Sequence, residues 1–262
     1  MTNNYKLKNK VPVIISLTTS PTRINNIKPV IDSILNQTIQ PNSIYLNLPF
    51  VYKRTSDKFN KIPDFLNHPK IQINYVEDIG PITKILPTLR NNFIDDPLII
   101  SIDDDTIYGI KMIEIMLKYH QAFPNSVLTG SSYKNYSKLI LDPLPHRIGN
   151  MVEGFSGIAY PYKMFKNMDI DLNIPKECYF SDDFIISNYI NNKNIPIITV
   201  RNNDTLYKVK QLNFGFEKDA LHRGAGAMII GAKNIHNANY SKCANYYNNK
   251  NELSNKLKYF LN

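Results

Sequence analysis

Cysteine occurs only twice in 262 residues, at Cys178 and Cys243. Two thiols so far apart exclude a dense disulfide framework and offer no Cys-based zinc spacing, so free thiols are expected. Long apolar runs are also missing. The longest, such as Val11 to Leu17 and Leu98 to Ile102, fall well short of the roughly 20 residues that cross a bilayer, and no integral membrane segment is expected. No tract concentrates the basic residues. The net charge of +9 is spread along the chain, so nucleic acid is not an expected partner. Lys is abundant together with Asn, Ile and Tyr, whose codons are all A- or T-rich, so the composition reflects the coding genome as much as a function. Internal repeats and low-complexity linkers are absent too, which removes solenoids and multi-domain strings from consideration.

What remains is an ordinary globular composition, 43% hydrophobic and 20% charged, in a chain long enough for one substantial core. A single domain over residues 1–262 is expected. The basic opening Met1 to Lys10 shows no signal-peptide cleavage pattern, so a cytoplasmic location is the default expectation. The tripeptides Asn36-Gln37-Thr38 and Asn239-Tyr240-Ser241 have the form of glycosylation acceptors but are read as unmodified there.

Apolar periodicity alternates between strand and helix. Val11 to Leu17 is a nearly continuous apolar run, the mark of a strand covered on both faces, and Ile27, Val30, Ile31, Ile34 and Leu35 follow at helical spacing. Strands are expected at Ser43 to Leu48, Ile71 to Val76 and Pro97 to Ile102, with short helices around Ile82 to Leu89 and Ile110 to Tyr119. Beyond residue 130 the pattern is less regular: Val127 to Gly130 reads as a strand, Glu153 to Tyr160 as a Gly-punctuated segment, Phe184 to Ile190 as a helix and Leu253 to Leu261 as an amphipathic one. The βα alternation predicts an α/β fold: a single Rossmann-like domain with a mainly parallel central sheet flanked by helices.

Three consecutive carboxylates, Asp103, Asp104 and Asp105, stand where a buried strand ends. So many like charges at one point require neutralisation, and hard oxygen ligands suit Mg2+ or Mn2+. Alternation in extended chain would let Asp103 and Asp105 converge on the metal while Asp104 turns away. A solvated acidic turn is the plain alternative. A second acidic pair, Asp182 and Asp183, follows Ser181, a good helix N-cap residue, and could be explained by capping and the helix dipole alone.

A hydrophobic-Asp-x-Asp pattern after a strand in such a chain resembles the nucleotide-sugar glycosyltransferases of the A-type fold, the inverting enzymes of bacteria and large DNA viruses in particular. The motifs that carry the resemblance run in order: Leu17-Thr18-Thr19-Ser20-Pro21-Thr22-Arg23, Glu77-Asp78-Ile79-Gly80-Pro81-Ile82-Thr83-Lys84, the Asp cluster, Glu153-Gly154-Phe155-Ser156-Gly157 and Ser181-Asp182-Asp183. They extend to about residue 200. The resemblance implies a donor-binding half to about residue 107, an acceptor-binding half over about 108–240 and a C-terminal tail over 241–262. It implies that Thr18, Thr19, Arg23, Asp78, Lys84, Asp103 and Asp104 line the site of a UDP-sugar donor, with Asp103 and Asp105 on the metal. Asp183 becomes the general base toward a hydroxyl acceptor and Asp182 a ligand of acceptor hydroxyls. The family pair often begins with Glu, so the Asp here leaves their division of labour open.

Gly154 and Gly157 would let backbone approach a sugar beside the Phe155 ring, or simply form a bulge. A third metal ligand would come from His222 or, in competition with it, His236, and Arg223-Gly224-Ala225-Gly226-Ala227 could close over the donor phosphate. The acceptor would be a glycan, a protein or a lipid-linked hydroxyl. A homo-oligomer stays open, and for a viral chain the location becomes host cytoplasm or virion. Two other readings remain at this point. Phosphatases of the haloacid dehalogenase type also place Asp-x-Asp after a strand, near the start of their fold and with Thr or Val where Ile107 stands here. A non-catalytic protein of the same fold could bind a nucleotide sugar or a glycan.

Overall fold

A computed structural model of the protein describes residues 11–133, 138–141, 144–170, 173, 175, 177–200, 210–212 and 235–258. Among these, nine strands form one sheet in the order β3-β2-β1-β4-β11-β6-β12-β9-β8. Its first half is parallel: β1 (Val13–Thr18) pairs with β2 (Ser43–Pro49) and β4 (Leu98–Ser101), and β2 pairs with β3 (Ile71–Val76). The strand β11 (Ile158–Pro161) runs antiparallel between β4 and β6 (Val127–Thr129). Beyond it, β12 (Ile197–Val200) is parallel to β6, and the hairpin of β8 (Lys138–Leu141) and β9 (Leu144–Gly149) completes the edge. Thus β1, β2, β3, β4, β6, β8 and β12 run one way and β9 and β11 the other. Small two-stranded pairings join β5 (Thr106–Ile107) to β13 (Lys210–Gln211) and β7 (Ser132–Tyr133) to β10 (Met151–Val152). The expected α/β class with a mainly parallel central sheet is present.

The sheet separates two apolar cores, and side-chain alternation along each strand decides which core receives which residue. On β1, Val13, Ile15 and Leu17 enter one core and Ile14 the other; on β4, Leu98 and Ile100 oppose Ile99. One core is closed by α1 (Lys28–Leu35), through Val30, Ile31 and Ile34, and by α3 (Met112–Ala122), through Met112, Ile113 and Met116. Leu86 and Leu89 of the short helix α2 (Leu86–Leu89) fill the other, with Tyr162 and Phe165 of α4 (Tyr162–Phe165) and Phe184, Ile185, Ile186 and Ile190 of α5 (Asp182–Asn192). The stretch 241–262 reads from sequence as a tail, yet its described residues, 241–258, contribute to the same core: Cys243, Ala244 and Tyr247 of α6 (Ile235–Asn249), then Leu253, then Leu257 of α7 (Asn255–Lys258), are buried there.

The two cysteines are not free thiols. Cys178 and Cys243 form a disulfide, with Cα atoms 4.8 Å apart, which corrects the expectation from their wide spacing: the fold returns α6 to the segment just before α5, where the two meet in the core. A lasting disulfide belongs to oxidising surroundings, so the support that free thiols would have lent to a cytoplasmic location is gone. Among the described residues, no helix is long and apolar enough to cross a membrane.

Candidate active site

Parallel strands end their carboxyl termini along one edge of a sheet, and the loops there carry the candidate residues. Thr18, Thr19 and Arg23 follow β1, Asp78 follows β3, and Asp103 to Asp105 follow β4. Lys84 ends a 3-10 turn, Pro81–Lys84, that packs over β1 and β2. Asp182 and Asp183 open α5, which packs against β10.

The two acidic segments meet. Lys84 Nζ lies 2.8 Å from Asp103 Oδ1 and 2.8 Å from Asp182 Oδ2, and the Gly154 N–H donates to Asp183 Oδ1 at 3.1 Å. Burial works against the Lys84 ammonium, but Asp103, Asp182 and Asp183 outweigh it and hold Lys84 well above its ordinary pKa. For Asp183 the balance runs the other way: burial, then the neighbouring Asp182, push its carboxyl well above the usual range despite Lys84.

Asp104 meets protein partners, and Arg23 is nearest to Asp104 and Asp105 while Lys84 holds Asp103. Asp104 accepts from Thr19 Oγ1 at 2.6 Å and from Arg23 Nη1 at 2.9 Å, and it is largely buried. Burial raises its pKa, while Arg23 and Thr19 pull against that rise. Thr19 and Arg23 thus bind the acidic loop, and Thr18 Oγ1 donates to the Asn47 carbonyl at 2.7 Å. Asp105 is less well compensated: Arg23 stands 4.0 Å away, and burial followed by Asp103 and Asp104 raises its carboxyl to about 6.

Asp78 is already well supplied with donors. The backbone N–H of Lys53 donates to its Oδ2 at 2.7 Å, and the N–H of Gly80 and the hydroxyl of Tyr179 donate to its Oδ1 at 2.9 and 2.6 Å. Gly80 has φ +82°, and a Cβ there would overlap the Tyr179 carbonyl, so this turn needs glycine. Ser181 stands at the N-cap of α5 as expected, but its hydroxyl makes no cap bond and is buried without a partner. With no side-chain cap, Asp182 and Asp183 in the first turn are favoured by the α5 dipole together with Lys84 and the Gly154 N–H.

Other site residues gave no signal in the sequence. Tyr108 Oη accepts from the Asp103 N–H at 3.0 Å and donates to the Phe155 carbonyl at 3.0 Å, fixing the acidic loop to the Gly154 turn. Ser16, Asn47 and Thr88 form a buried polar cluster beneath Lys84. A tyrosine or serine within an apolar pattern reads as core, and only the fold reveals these partners. His222, the side chain of His236 and the segment 223–227 lie outside the described residues.

The chain matches no protein-family model, and a search of curated proteins returns no match to it.

Proposed function

We propose that the protein transfers a sugar from a nucleoside diphosphate, with UDP as the expected nucleotide, to a hydroxyl acceptor, as a glycosyltransferase of the A-type fold. The observation that carries this reading is the convergence of Asp103 with Asp182 and Asp183 beside the carboxyl ends of parallel strands. One carboxylate group faces the place for a charged donor, and a second stands ready to take a proton.

A divalent cation suits Asp103 and Asp105. The Asp105 carboxyl, raised to about 6, marks negative charge that Arg23 at 4.0 Å does not offset. Among the described residues no three His, Cys, Asp or Glu side chains form a group able to hold a metal. Mg2+ and Mn2+ sites of nucleotide enzymes commonly use one or two carboxylates and leave the other positions to water and phosphate, which agrees with such a pair. Bound there, the cation would offset the negative charge that develops on a departing diphosphate.

The chain's own groups do the rest. Arg23 and Thr19 hold Asp104, which fixes the loop that presents Asp103 and Asp105. Asp183, raised by burial, is a stronger base than an exposed carboxylate once ionised, and the Gly154 N–H orients it for proton removal from the acceptor hydroxyl. Asp182 stands beside it to bind a second acceptor hydroxyl. Attack by the hydroxyl that Asp183 deprotonates, on the face opposite the diphosphate, breaks the bond to the diphosphate and inverts the anomeric carbon. Candidate UDP-sugars incubated with Mn2+ and simple glycoside acceptors test the reading by product NMR. The expected result is an inverted glycoside and free UDP from the native chain, with transfer by Asp183→Asn reduced about 10² to 10⁴-fold. A native-like rate in Asp183→Asn would remove it as the base.

A further inference from the structure

Lys84 is fixed at both ends. Its carbonyl accepts from Ser16 Oγ at 2.5 Å; Ser16 Oγ also lies 2.6 Å from Thr88 Oγ1, and Asn47 Nδ2 donates to both hydroxyls at 3.2 and 3.0 Å. Its ammonium reaches Asp103 and Asp182 at equal distance, and the side chain is 8% exposed. The room around that ammonium is kept by Gly154. A Cβ on Gly154 would overlap Lys84 Nζ, and it would stand 3.2 Å from Asp183 Oδ1 and 3.4 Å from Asp103 Oδ1. An ordinary surface lysine has neither an anchored carbonyl nor a reserved cavity for its head.

We propose that Lys84 is a positioning residue: the shared counter-ion that holds donor-side Asp103 and acceptor-side Asp182 and Asp183 in one cluster, with Gly154 as the space that admits it. An ammonium engaged by two carboxylates is not free to contact the nucleotide, so the donor's phosphates must draw their positive charge from elsewhere. The same ammonium competes with a divalent cation for Asp103. A metal arriving without a diphosphate therefore meets a carboxylate already partly neutralised. Opposed charges taken out of water are costly unless paired, so removing Lys84 alone leaves three carboxylates repelling one another.

The inference rests in part on the proposed role of Asp103 toward metal, and the test separates the two. The full chain carrying Lys84→Met is compared with Asp103→Asn/Asp182→Asn and with the triple combination, by thermal unfolding and by Mn2+ titration followed by electron paramagnetic resonance. The counter-ion role predicts a large fall in Tm for Lys84→Met that shrinks by roughly half or more once the two carboxylates are neutral. It also predicts that Lys84→Met binds Mn2+ about tenfold more tightly than the native chain, which a packing role would not produce. An equal Tm loss in both backgrounds overturns the inference, as does unchanged Mn2+ affinity in a variant that binds the ion. If Lys84→Met alone does not fold, folding of the triple variant supports the counter-ion role and its failure overturns it. Absence of Mn2+ binding in every variant, with the coupling in Tm intact, leaves the counter-ion role standing and counts against the metal-dependent function.

Discussion

The backbone N–H of Gly154 donates to Asp183 Oδ1 at 3.1 Å. That contact brings a turn between β10 and β11 against the first residues of α5 and orients the carboxylate of the proposed base. The same glycine borders Lys84 Nζ, so a single position meets both the Asp183 carboxylate and the Lys84 ammonium.

Gly154→Ala should therefore disturb the site without opening the core. The added methyl displaces the Lys84 head and crowds Asp183, at a cost of about 1–3 kcal/mol for overpacking. A lowered Tm with a far-UV spectrum like that of the native chain is the expected result. An unchanged Tm would mean that the ammonium has another place to go.

Asp104 and Asp105 should separate by phenotype. Asp104→Ala takes from Thr19 its acceptor and from Arg23 its nearer carboxylate, leaving Asp105 at 4.0 Å, and breaking such a largely buried pair costs up to about 3–5 kcal/mol. Asp105→Asn removes a poorly compensated charge, so Tm holds or rises while Mn2+-dependent UDP binding is lost. Chemical denaturation and calorimetry on the two variants check this, and a destabilised Asp105→Asn would contradict it.

Much of this arrangement could be read in advance, and the limits were physical. The strands β1 to β4 and helices α1 and α3 announced themselves through apolar runs such as Val13 to Leu17 and the helical spacing of Val30, Ile31 and Ile34. The acidic clusters stood out because consecutive carboxylates need a reason. Local pattern could not show that Lys84 faces both clusters, because its two partners lie on different elements and only the closed sheet brings them together. The disulfide was hidden for the same reason, with 65 residues between its cysteines. The strand β9 contains Pro145, His146 and Arg147, which disguise it, and α6 is rich in Asn and Tyr, with no clean apolar face to mark it.

The disulfide should be a main support of the second half. Closing a loop of 65 residues restricts the unfolded chain by about 4 kcal/mol in the chain-entropy model. Cys178→Ala/Cys243→Ala should unfold at clearly lower denaturant, and the native chain should do likewise in strong reductant. Since Cys178 adjoins Tyr179, whose hydroxyl binds Asp78, loosening is expected to reach the Asp78 turn first, as faster amide exchange at Gly80. Equal stability with and without reductant would contradict a structural role for the bridge.

Acid should act through His120 as well as through the carboxylates. Burial, reinforced by Lys163 and opposed by Asp96, lowers its pKa below 6.5, and its Nδ1 is buried without a hydrogen-bond partner. The folded chain thus binds this proton less readily than the unfolded chain. The contribution is complete above 6.5 and is lost as pH falls from there through the folded pKa. Comparing Tm at about pH 7.5 and about pH 5.5, the native chain should lose more than His120→Gln. Parallel losses would show that the imidazole does not contribute.

Asp103 and Asp105 are proposed to present a divalent cation to a nucleoside diphosphate, and the decisive measurement is calorimetric titration of UDP into the full chain. With Mn2+ present saturable binding is expected, lost in excess chelator and lost in Asp105→Asn, because the diphosphate would complete a coordination shell that the carboxylates only begin. UDP binding of equal affinity in chelator, or no UDP binding with Mn2+ at any concentration, would contradict it.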